Sequence, residues 1–354
     1  MNQILGGLEG GATVSTLVLL DADGKVMTKT TGPGTNHFLL GMEECRQRIA
    51  NMVNTVKKDI GMRQDQPLSA LGLSLSGCEQ EETNQELVRG LLENYPNLSE
   101  RYAIGSDTEG SVAATSNHGG VCSIAGTGSN TLLINPDGSR VQCGGWGYLL
   151  GDEGGAYKIA HSAIKSCFDD LDRFSPAPHS IDKVWALIKD HFQIKVKEDL
   201  LEHYYTKFDK AFIASLCKKL STLASEGDDA MAKYLFENAG RQIAQSLGAV
   251  IPKAAAELID KPGGLHVLCV GSVWLSWPLL KPGFDKYMVE HTEISTITLT
   301  RLTTTLAVGA AYMAADKLNI NIPRFYDENF RILDVFRRET FSNNFSGNNI
   351  CVKI

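Results

Sequence analysis

The sequence predicts an α/β protein with two lobes around a deep cleft, and three observations lead to this fold class. The chain of 354 residues exceeds the size at which one hydrophobic core usually stops growing, so two domains are expected. Strand-like and helix-like segments alternate, which is typical of a largely parallel sheet covered by helices. A strand–turn–strand unit at the start of the chain recurs downstream, so each lobe is expected to open with a similar hairpin.

Composition and charge indicate which kinds of partner the protein does not bind. With 43% hydrophobic and 21% charged residues, the chain has the balance of a globular protein. A net charge of -7 without a basic run argues against a nucleic-acid partner. The sequence shows no apolar run of membrane-spanning length and no secretory leader, so we expect a cytoplasmic protein without a membrane partner.

Cysteine and histidine spacing gives no support for a metal centre. The eight cysteines never occur as Cys-x-x-Cys, and the eight histidines form no close pair with another ligand residue. We therefore expect buried free thiols, no iron–sulfur cluster and no metal held by the protein itself. Any metal ion is expected to arrive with a substrate.

The first hairpin lies at the N-terminus. A strand predicted over residues 3–8 runs into the glycine-rich turn that contains Gly11 and Thr13. Residues 15–20 then resume a β-type composition before a tight turn at Gly24.

The second hairpin repeats this layout. Strands predicted over residues 120–124 and 131–135 enclose a turn with Thr127 and Gly128, and Gly138 closes the unit. The spacing from the turn threonine to the closing glycine is the same in both hairpins.

Glycine at these turns lets backbone N–H groups approach phosphate oxygens, and threonine can add a hydroxyl donor. The sequence therefore predicts that Gly11, Thr13, Thr127 and Gly128 bind a nucleotide. An ordinary hairpin turn is the commoner interpretation of either turn alone, but the duplication favours the phosphate site. Neither a P-loop nor a Gly-x-Gly-x-x-Gly helix start follows the first strand.

Between the hairpins the sequence predicts helices near residues 43–58 and 81–94 and strands over residues 71–75 and 102–104. Because ligands of open α/β sheets bind beyond the carboxyl ends of the strands, Ser76 and Asp107 are expected at the site. Asp107 is the candidate base that accepts the proton of an attacking hydroxyl. The alternative is that Ser106, Asp107 and Glu109 only cap a helix near Ser111, since Ser-x-x-Glu is a capping box.

A glycine-rich segment over residues 143–156 leads into a predicted helix and is interpreted as a binding loop. Trp146 offers an apolar face, and the backbone amides of Gly145 and Gly147 can reach a hydroxyl. Asp152 can accept hydrogen bonds from hydroxyl groups, or it can simply cap the helix.

Two late segments complete the pattern. Residues 265–270 are predicted to form a buried strand that ends at Gly271-Ser272. Residues 304–311 form a predicted helix of small residues, which close helix packing explains without a ligand.

These passages resemble those of the eukaryotic N-acetylglucosamine kinases, a family in the superfamily of sugar kinases, heat-shock chaperones and actin. The likeness covers nearly the whole chain and is carried by residues 8–13, 35–37, 73–77, 125–130, 144–147, 151–154 and 269–274. It implies two ribonuclease-H-like lobes of the actin and hexokinase type. We place the smaller lobe over residues 1–117, the larger lobe over residues 118–341 and a loose tail, rich in Asn, Ser and Gly, over residues 342–354.

The resemblance also implies an activity, which is the phosphorylation of N-acetylglucosamine on its 6-hydroxyl by ATP with Mg²⁺, with Asp107 as the base. The residues that it places around the sugar are Asn36, Ser76, Asp107, Asn130, Gly145, Trp146, Gly147 and Asp152. It places Thr13 and Thr127 at the ATP phosphates, and the residues that it places around the adenosine are Ala214, Gly271, Ser272 and Leu275.

Glu9 stands where related kinases more often carry aspartate, and its expected role is to hold the water shell of the Mg²⁺ ion. Ala12 stands where the family commonly has glycine, and Leu275 stands where a polar or basic residue is more usual. Both departures lie on the ATP side. A homodimer is implied by the family alone.

Several alternatives stay open. N-acetylmannosamine kinase and glucokinase differ in how the pocket reads the 2-substituent of the sugar. An ATP-driven activator like those of the 2-hydroxyacyl-CoA dehydratases would need cysteines that hold an iron–sulfur cluster, and the scattered cysteines argue against it. A sugar sensor without catalysis is a third alternative. We also expect the lobes to close on the sugar, and modification of Cys143 to lower activity unless that thiol is simply buried.

Overall fold

The structure is a computed structural model, and it describes residues 3–11, 13–78 and 80–338. Two parts of the sequence analysis, Ala12 and the tail over residues 342–354, lie outside these residues. The strands, in chain order, are β1 Leu5–Gly10, β2 Val14–Leu20, β3 Val26–Pro33, β4 Ala70–Leu75, β5 Tyr102–Gly105, β6 Gly120–Ala125, β7 Ser129–Ile134, β8 Arg140–Gly144, β9 Leu265–Val270, β10 Thr296–Leu302 and β11 Phe330–Arg337.

The helices, in chain order, are α1 His37–Leu40, α2 Met42–Asp59, α3 Glu81–Asn94, α4 Asp107–Ala113, α5 Gly147–Leu150, α6 Ala156–Leu171, α7 Asp182–Phe192, α8 Leu200–Tyr204, α9 Lys210–Ser225, α10 Ala230–Val250, α11 Ala256–Ile259, α12 Trp277–His291 and α13 Leu306–Lys317. Within the part of the chain that the structure describes, none of these helices has both the length and the apolar character needed to cross a bilayer.

The chain folds into two compact units. The first unit contains the described residues up to Cys122 together with Ile134–Ser139 and Thr300–Leu333. The second unit contains Ser123–Leu133, Arg140–Leu299 and the described residues from Asp334 onward.

The first unit is built on a sheet with the strand order β3-β2-β1-β4-β5. β1 runs antiparallel to β2 and parallel to β4, and β4 runs parallel to β5. Gly10 lies opposite both Ser15 and Leu75, so the carboxyl ends of β1 and β4 meet at one edge. Because β5 is parallel to β4, the segment that follows β5 leaves the sheet at the same edge.

Helix α13 packs closely on this sheet, as the small-residue pattern predicts. A Cβ atom at Gly7 of β1 would lie 2.0 Å from the carbonyl oxygen of Ala307, and one at Gly72 of β4 would lie 1.9 Å from that of Ala310. This close approach explains why α13 belongs to the first unit. We predicted one continuous lobe over residues 118–341, whereas Thr300–Leu333, which contains α13, belongs to the first unit.

A second sheet has the order β11-β10-β9-β6-β7-β8. Read from the other end, the order β8-β7-β6-β9-β10 repeats the order β3-β2-β1-β4-β5 of the first sheet. In each sheet three consecutive strands lie side by side, and the next strand in sequence pairs with the first of the three. The same turn closes both hairpins, since Gly24 and Gly138 each donate a backbone hydrogen bond three residues back, to Asp21 and Asn135. The predicted α/β fold class, with a repeat in each unit, is therefore confirmed.

Helices form the rest of the second unit, and their contacts depend on glycine. A Cβ atom at Gly240 of α10 would lie 1.9 Å from the carbonyl oxygen of Leu280 in α12. Trp274, which is fully buried, donates from Nε1 to the carbonyl oxygen of Ser123 at 3.0 Å. This bond fixes the segment after β9 against β6.

Candidate active site

The first glycine-rich turn joins β1 to β2 and is held by the segment after β3. Gly11 N–H donates to the carbonyl oxygen of Val14 at 3.1 Å, and the carbonyl oxygens of Gly11 and Thr13 accept from Thr35 and Gly34 at 3.1 and 2.9 Å. The Thr13 side chain is exposed. The turn is therefore fixed through its carbonyls, and the Thr13 hydroxyl stays accessible.

Ser76 and Asp107 meet at the carboxyl edge of the first sheet. The hydroxyl Oγ of Ser76 donates to Oδ2 of Asp107 at 2.6 Å. The backbone N–H of Ser76 donates to the carbonyl oxygen of Gly10 at 2.8 Å, which ties the end of β4 to the end of β1. Ser76 and Asp107 are 31 positions apart in sequence. They lie together because the strands that precede them end at the same edge of the sheet.

The structure also separates the two roles that the sequence left open for Asp107. The N-cap of α4 is Ser106, whose side chain accepts from the backbone N–H of Glu109 at 3.3 Å. Asp107 is the first residue of the helix, and its carboxylate is directed to Ser76 instead. Glu109 forms an ion pair with Lys317 at 3.1 Å. Capping is therefore done by Ser106, and Asp107 keeps its carboxylate for other chemistry.

Burial raises the pKa of two carboxylates in this unit, Asp107 and Glu9. It raises the pKa of Asp107, although the hydrogen bond from Ser76 opposes the shift. Burial, and then repulsion from Asp107, raise the pKa of Glu9 to about 7, while a 3.4 Å hydrogen bond from Thr305 opposes the rise. These two acidic groups thus lie near each other, and burial leaves too little water around them to stabilise both negative charges.

This excess of acidic groups fits the metal ion that the resemblance implies. A buried carboxylate pair is stabilised by a cation, and Mg²⁺ usually keeps several waters while it binds one or two carboxylates and substrate phosphates. Glu9, whose pKa is raised in the same unit, is the residue predicted to hold the water shell of that ion. Among residues 3–11, 13–78 and 80–338, no group of three or more His, Cys, Asp or Glu side chains is arranged to hold a metal ion.

Asn36 lies beside the same edge of the first sheet. It is the N-cap of α1, and its Oδ1 accepts from the backbone N–H of Phe38 at 3.0 Å. A Cβ atom at Gly77, which has φ +93°, would lie 3.3 Å from that Oδ1 and 2.9 Å from the Phe38 ring. Asn36 therefore adjoins the turn that follows Ser76, and the structure gathers the three sugar residues predicted in this unit.

The second glycine-rich turn joins β6 to β7 and is attached to helix α6. The carbonyl oxygens of Gly126 and Thr127 accept from the backbone N–H groups of Ala156 and Tyr157 at 2.8 and 3.1 Å. Gly126 N–H itself donates to the carbonyl oxygen of Gly128 at 2.9 Å. The Thr127 side chain is exposed, as Thr13 is in the first turn.

Asp152 lies in the glycine-rich segment over residues 144–155, which we call the sugar loop after the role predicted for it from the sequence. Its side chain is almost fully buried, at 4% exposure for the residue, and its backbone is left-handed with φ +69°. Oδ1 accepts from the backbone N–H of Ser129 at 3.1 Å, and Oδ2 accepts from Nζ of Lys210 at 3.0 Å. Helix α6 is capped by Gly155, so Asp152 is not a helix cap.

Gly128 is required by the position of Asp152. A Cβ atom at residue 128 would lie 2.5 Å from both carboxylate oxygens, closer than real side chains approach. The predicted phosphate turn and the sugar loop are therefore in direct contact through this glycine.

Gly145 of the sugar loop lies against Asn130. Gly145, with φ +82°, donates from its backbone N–H to the carbonyl oxygen of Ser129 at 3.0 Å, and its Cβ position lies 3.0 Å from Nδ2 of Asn130. Oδ1 of Asn130 is buried and has no hydrogen-bond partner among the described residues. Gly147 also has a positive φ, and Trp146 is 68% exposed. A buried acceptor without a partner suits a ligand that carries N–H or O–H donors.

A cavity of about 610 Å³ in the second unit brings together most of the predicted adenosine residues. It is lined by Thr127, Ala156, Ala211, Ala214, Ser215, Cys217, Lys218, Ser221, Thr222, Ser272, Val273, Leu275 and Ser276. Gly271, with φ +102°, lies against β6, because its Cβ position is 2.3 Å from the carbonyl oxygen of Ala125. That contact places Gly271-Ser272 next to the turn of Thr127.

Sequence reasoning missed the contribution of α9 to this cavity. Only Ala214 was predicted, whereas Lys218 and Ser221 also line the wall. Small and polar residues recur along α9 at helical spacing over residues 211–222, which is the signal that could have indicated a ligand-facing surface. Leu275, the predicted departure from the family, lies in the wall and is 67% exposed.

Relatives of known name support the resemblance. The chain is 24% identical over 271 residues to the N-acetyl-D-glucosamine kinase of Dictyostelium discoideum, which covers 73% of this chain and 82% of the relative. It is 23% identical over 246 residues to the N-acetylmuramic acid/N-acetylglucosamine kinase of Clostridium acetobutylicum, which covers 69% of this chain and 78% of the relative. The similarity to N-acetylglucosamine kinases is thus confirmed. Because one relative is bacterial, a eukaryotic affiliation stays a prediction.

A solved structure shares the fold. A protein from Chromobacterium violaceum, proposed to be an N-acetylglucosamine kinase, matches with a TM-score of 0.69 at 22% identity over 88% of this chain and 99% of that chain. The sequence profile of the BadF/BadG/BcrA/BcrD ATPase family matches residues 7–314, which is most of the chain. The chain therefore belongs to the BadF/BadG/BcrA/BcrD ATPase family.

Proposed function

We propose that this protein transfers the γ-phosphoryl group of ATP to the 6-hydroxyl of N-acetylglucosamine. The observation that carries the proposal is the 2.6 Å hydrogen bond between Ser76 and the carboxylate of Asp107, whose pKa is raised by burial. A carboxylate of raised pKa at the carboxyl edge of the sheet is suited to act as a general base near neutral pH. The names of the relatives support N-acetylglucosamine as the acceptor.

In the proposed reaction, Asp107 accepts the proton of the sugar 6-hydroxyl while the hydroxyl oxygen attacks the γ-phosphorus of ATP. The new oxygen–phosphorus bond forms as the bond to the β-phosphate oxygen breaks, and ADP leaves with that electron pair. Ser76 orients the carboxylate by its hydrogen bond. Phosphoryl transfer otherwise depends on positioning and charge neutralisation, which the remaining residues are proposed to provide.

For the sugar, we propose the following contacts. Asn36 is positioned by its role as a helix cap, which fixes its side chain beside Gly77. The unpaired Oδ1 of Asn130 is proposed to accept a hydrogen bond from a sugar hydroxyl or from the acetamide N–H. Trp146 is proposed to pack on the apolar face of the hexose, and the buried Asp152 to hold the sugar loop in shape.

For ATP, we propose that the two glycine-rich turns bind the phosphates through Thr13 and Thr127. The cavity of the second unit is proposed to take the adenosine, since its wall combines alanine methyl groups with the hydroxyls of Ser215 and Ser221. Mg²⁺ bound with ATP would neutralise phosphate charge, and Glu9 would hold its water shell. A homodimer and a cytoplasmic location are also proposed, on the family resemblance alone.

The proposal is tested by coupled ADP release with ATP and Mg²⁺. The acceptors are N-acetylglucosamine, N-acetylmannosamine, N-acetylmuramic acid, glucose and no sugar. We expect kcat/KM for N-acetylglucosamine to exceed that for glucose by at least about a hundredfold, because a site built to hydrogen-bond a substituent can discriminate by about ten-thousandfold. A higher kcat/KM for glucose or N-acetylmannosamine would show that this sugar, and not N-acetylglucosamine, is the substrate. ATP hydrolysis independent of sugar would favour the activator alternative and contradict the kinase.

A further inference from the structure

Lys210 was given no role by the sequence, yet it makes the ion pair that holds the sugar loop. It is the first residue of α9, directly after the N-cap Asp209. Its ammonium lies 3.0 Å from Oδ2 of Asp152 and 5.4 Å from the centre of the Tyr148 ring. Both partners belong to the sugar loop, since Tyr148 lies within its short helix α5 and Asp152 follows that helix.

The ion pair matters because the carboxylate of Asp152 is shielded from water. The side chain of Asp152 is 6% exposed, whereas that of Lys210 is 32% exposed. A buried carboxylate that loses its cation is left uncompensated, and the segment that carries it must rearrange to reach water. The shape of the sugar loop therefore depends on a residue outside the loop.

Asp152 connects three segments through its two oxygens. Oδ1 accepts from the backbone N–H of Ser129, which directly follows the phosphate turn, and Oδ2 accepts from Lys210. The aromatic ring of Tyr148 stacks on Phe208 at 5.2 Å, which adds a second contact between the loop and the start of α9. The loop, the turn and α9 are thus joined at one carboxylate.

The same helix forms a wall of the nucleotide cavity. Ala214, Lys218 and Ser221 lie on successive turns of α9 after Lys210, and all of them line the cavity together with Thr127. A shift of α9 when the cavity is filled would move the ammonium that holds Asp152. The geometry therefore connects the two ligand sites through one helix.

We propose that Lys210 is a positioning residue that fixes the sugar loop through Asp152 and couples that loop to the nucleotide cavity through α9. This inference rests on the proposed function for the identity of the sugar. The coupling itself is a property of the second unit and can be measured with nucleotide alone.

The test compares Lys210→Met, which keeps an apolar stem without the charge, with Lys210→Arg, which restores the charge. The matched control is Lys219→Met, because Lys219 lies on the same helix and pairs at 3.0 Å with Asp190, an exposed carboxylate. We expect Lys210→Met to raise the KM for N-acetylglucosamine by about tenfold to a hundredfold, with a smaller change in kcat. Lys210→Arg should recover most of the loss, and Lys219→Met should match the native protein.

Amide hydrogen exchange supplies a readout that does not need turnover. In Lys210→Met, peptides covering residues 144–152 should exchange faster than in the native protein. Addition of ATP with Mg²⁺ should slow exchange in the sugar loop of the native protein and have little effect on the loop of Lys210→Met. The Lys219→Met protein should again behave as the native protein does.

An unchanged sugar KM together with unchanged exchange in Lys210→Met would overturn the proposal. Equal losses in Lys210→Met and Lys219→Met would also overturn it, since they would report only the general stability of α9. If the native protein phosphorylates no sugar, the proposed function fails, and the exchange comparison with nucleotide then decides the role of Lys210 on its own.

Discussion

Asp107 and Asp152 are two acidic residues that the sequence assigned to the same ligand, and the structure gives them different partners. Asp107 is hydrogen-bonded by the neutral hydroxyl of Ser76. Asp152 is paired with the ammonium of Lys210 and with the backbone N–H of Ser129. None of the ion pairs between described residues includes Asp107.

This difference is the reason that we propose Asp107 as a base and Asp152 as an anchor of the sugar loop. A carboxylate that is buried without a cation has a raised pKa, as Asp107 does, and holds a proton more readily. A carboxylate that pairs with a cation and accepts a backbone hydrogen bond, as Asp152 does, is suited to fix a segment of chain. The first unit therefore carries the proton chemistry of the proposed reaction, and Asp152 in the second unit carries loop geometry.

The largest effect is expected from Asp107→Asn. Asparagine keeps the shape of the side chain but cannot take the proton, so kcat should fall by about a hundredfold to ten-thousandfold. The native protein should also lose kcat/KM as the pH falls, with an apparent pKa above the ordinary aspartate value, because burial raises the pKa of Asp107. Coupled ADP release across pH measures both effects. A kcat within a few fold of native would show that Asp107 is not the base.

Glu9 makes the protein without ligands sensitive to pH. Its pKa is about 7 in the folded state against 4.5 for the free side chain. Between these values the folded state binds a proton that the unfolded state has released, so the free energy of unfolding decreases as the pH rises through this window. The loss is complete above pH 7 and amounts to about 3 kcal/mol at most.

Glu9→Gln removes this dependence and should make the protein more stable than native at pH 8, with little difference near pH 4. Urea unfolding at the two pH values measures the change. The control is Glu82→Gln, which alters an exposed glutamate at the start of α3 and should leave the pH dependence unchanged. Equal pH dependence in the native and Glu9→Gln proteins would contradict the assignment.

Asp152→Asn should affect binding more than chemistry. Asparagine can still accept from the N–H of Ser129, but it loses the ion pair with Lys210. The KM for the sugar should rise by about tenfold to a hundredfold, while kcat changes less than in Asp107→Asn. Steady-state kinetics with varied N-acetylglucosamine measures the split. A fall in kcat alone would remove the distinction between base and anchor.

The smallest effect is expected at Cys143, which lies in β8 next to the sugar loop. It is partly exposed, whereas the other cysteines of the described residues are buried. Burial, and then the charge of Glu153, raise the pKa of the Cys143 thiol, so the nucleophilic thiolate is scarce at neutral pH.

Iodoacetamide should therefore label Cys143 slowly at pH 7 and faster as the pH rises, and bound sugar should protect it. Cys143→Ser should keep kcat within about twofold of native. Peptide mass spectrometry follows the labelling. Rapid labelling at pH 7 without protection by sugar would contradict both the burial of the thiol and its proximity to the site.

The sequence predicted those features that depend on local pattern. The two hairpins, the strand ends at Ser76 and Asp107 and the small-residue helix α13 follow from glycine placement, apolar runs and the geometry of parallel sheets. The alternatives for Asp107 could not be separated from sequence, because Ser106 and Asp107 are adjacent and both types of residue favour a helix start. Side-chain directions in the structure were needed to assign the cap to Ser106.

Contacts between distant segments could not be predicted. Lys210 and Asp152 are 58 positions apart, and Thr305 and Glu9 are 296 positions apart. No local pattern links such pairs, since they depend on how α9 and α13 pack in the finished fold. The left-handed backbone of Asp152 could not be predicted from local pattern either.

Phosphorus NMR of a reaction of ATP, Mg²⁺ and N-acetylglucosamine tests the central claim most directly, because it identifies the product as well as the loss of ATP. With the native protein we predict equal amounts of ADP and a sugar phosphate whose phosphorus couples to the two protons on carbon 6. With Asp107→Asn we predict almost no product, although the sugar still binds. Release of inorganic phosphate without a sugar phosphate, or equal product from both proteins, would contradict the account.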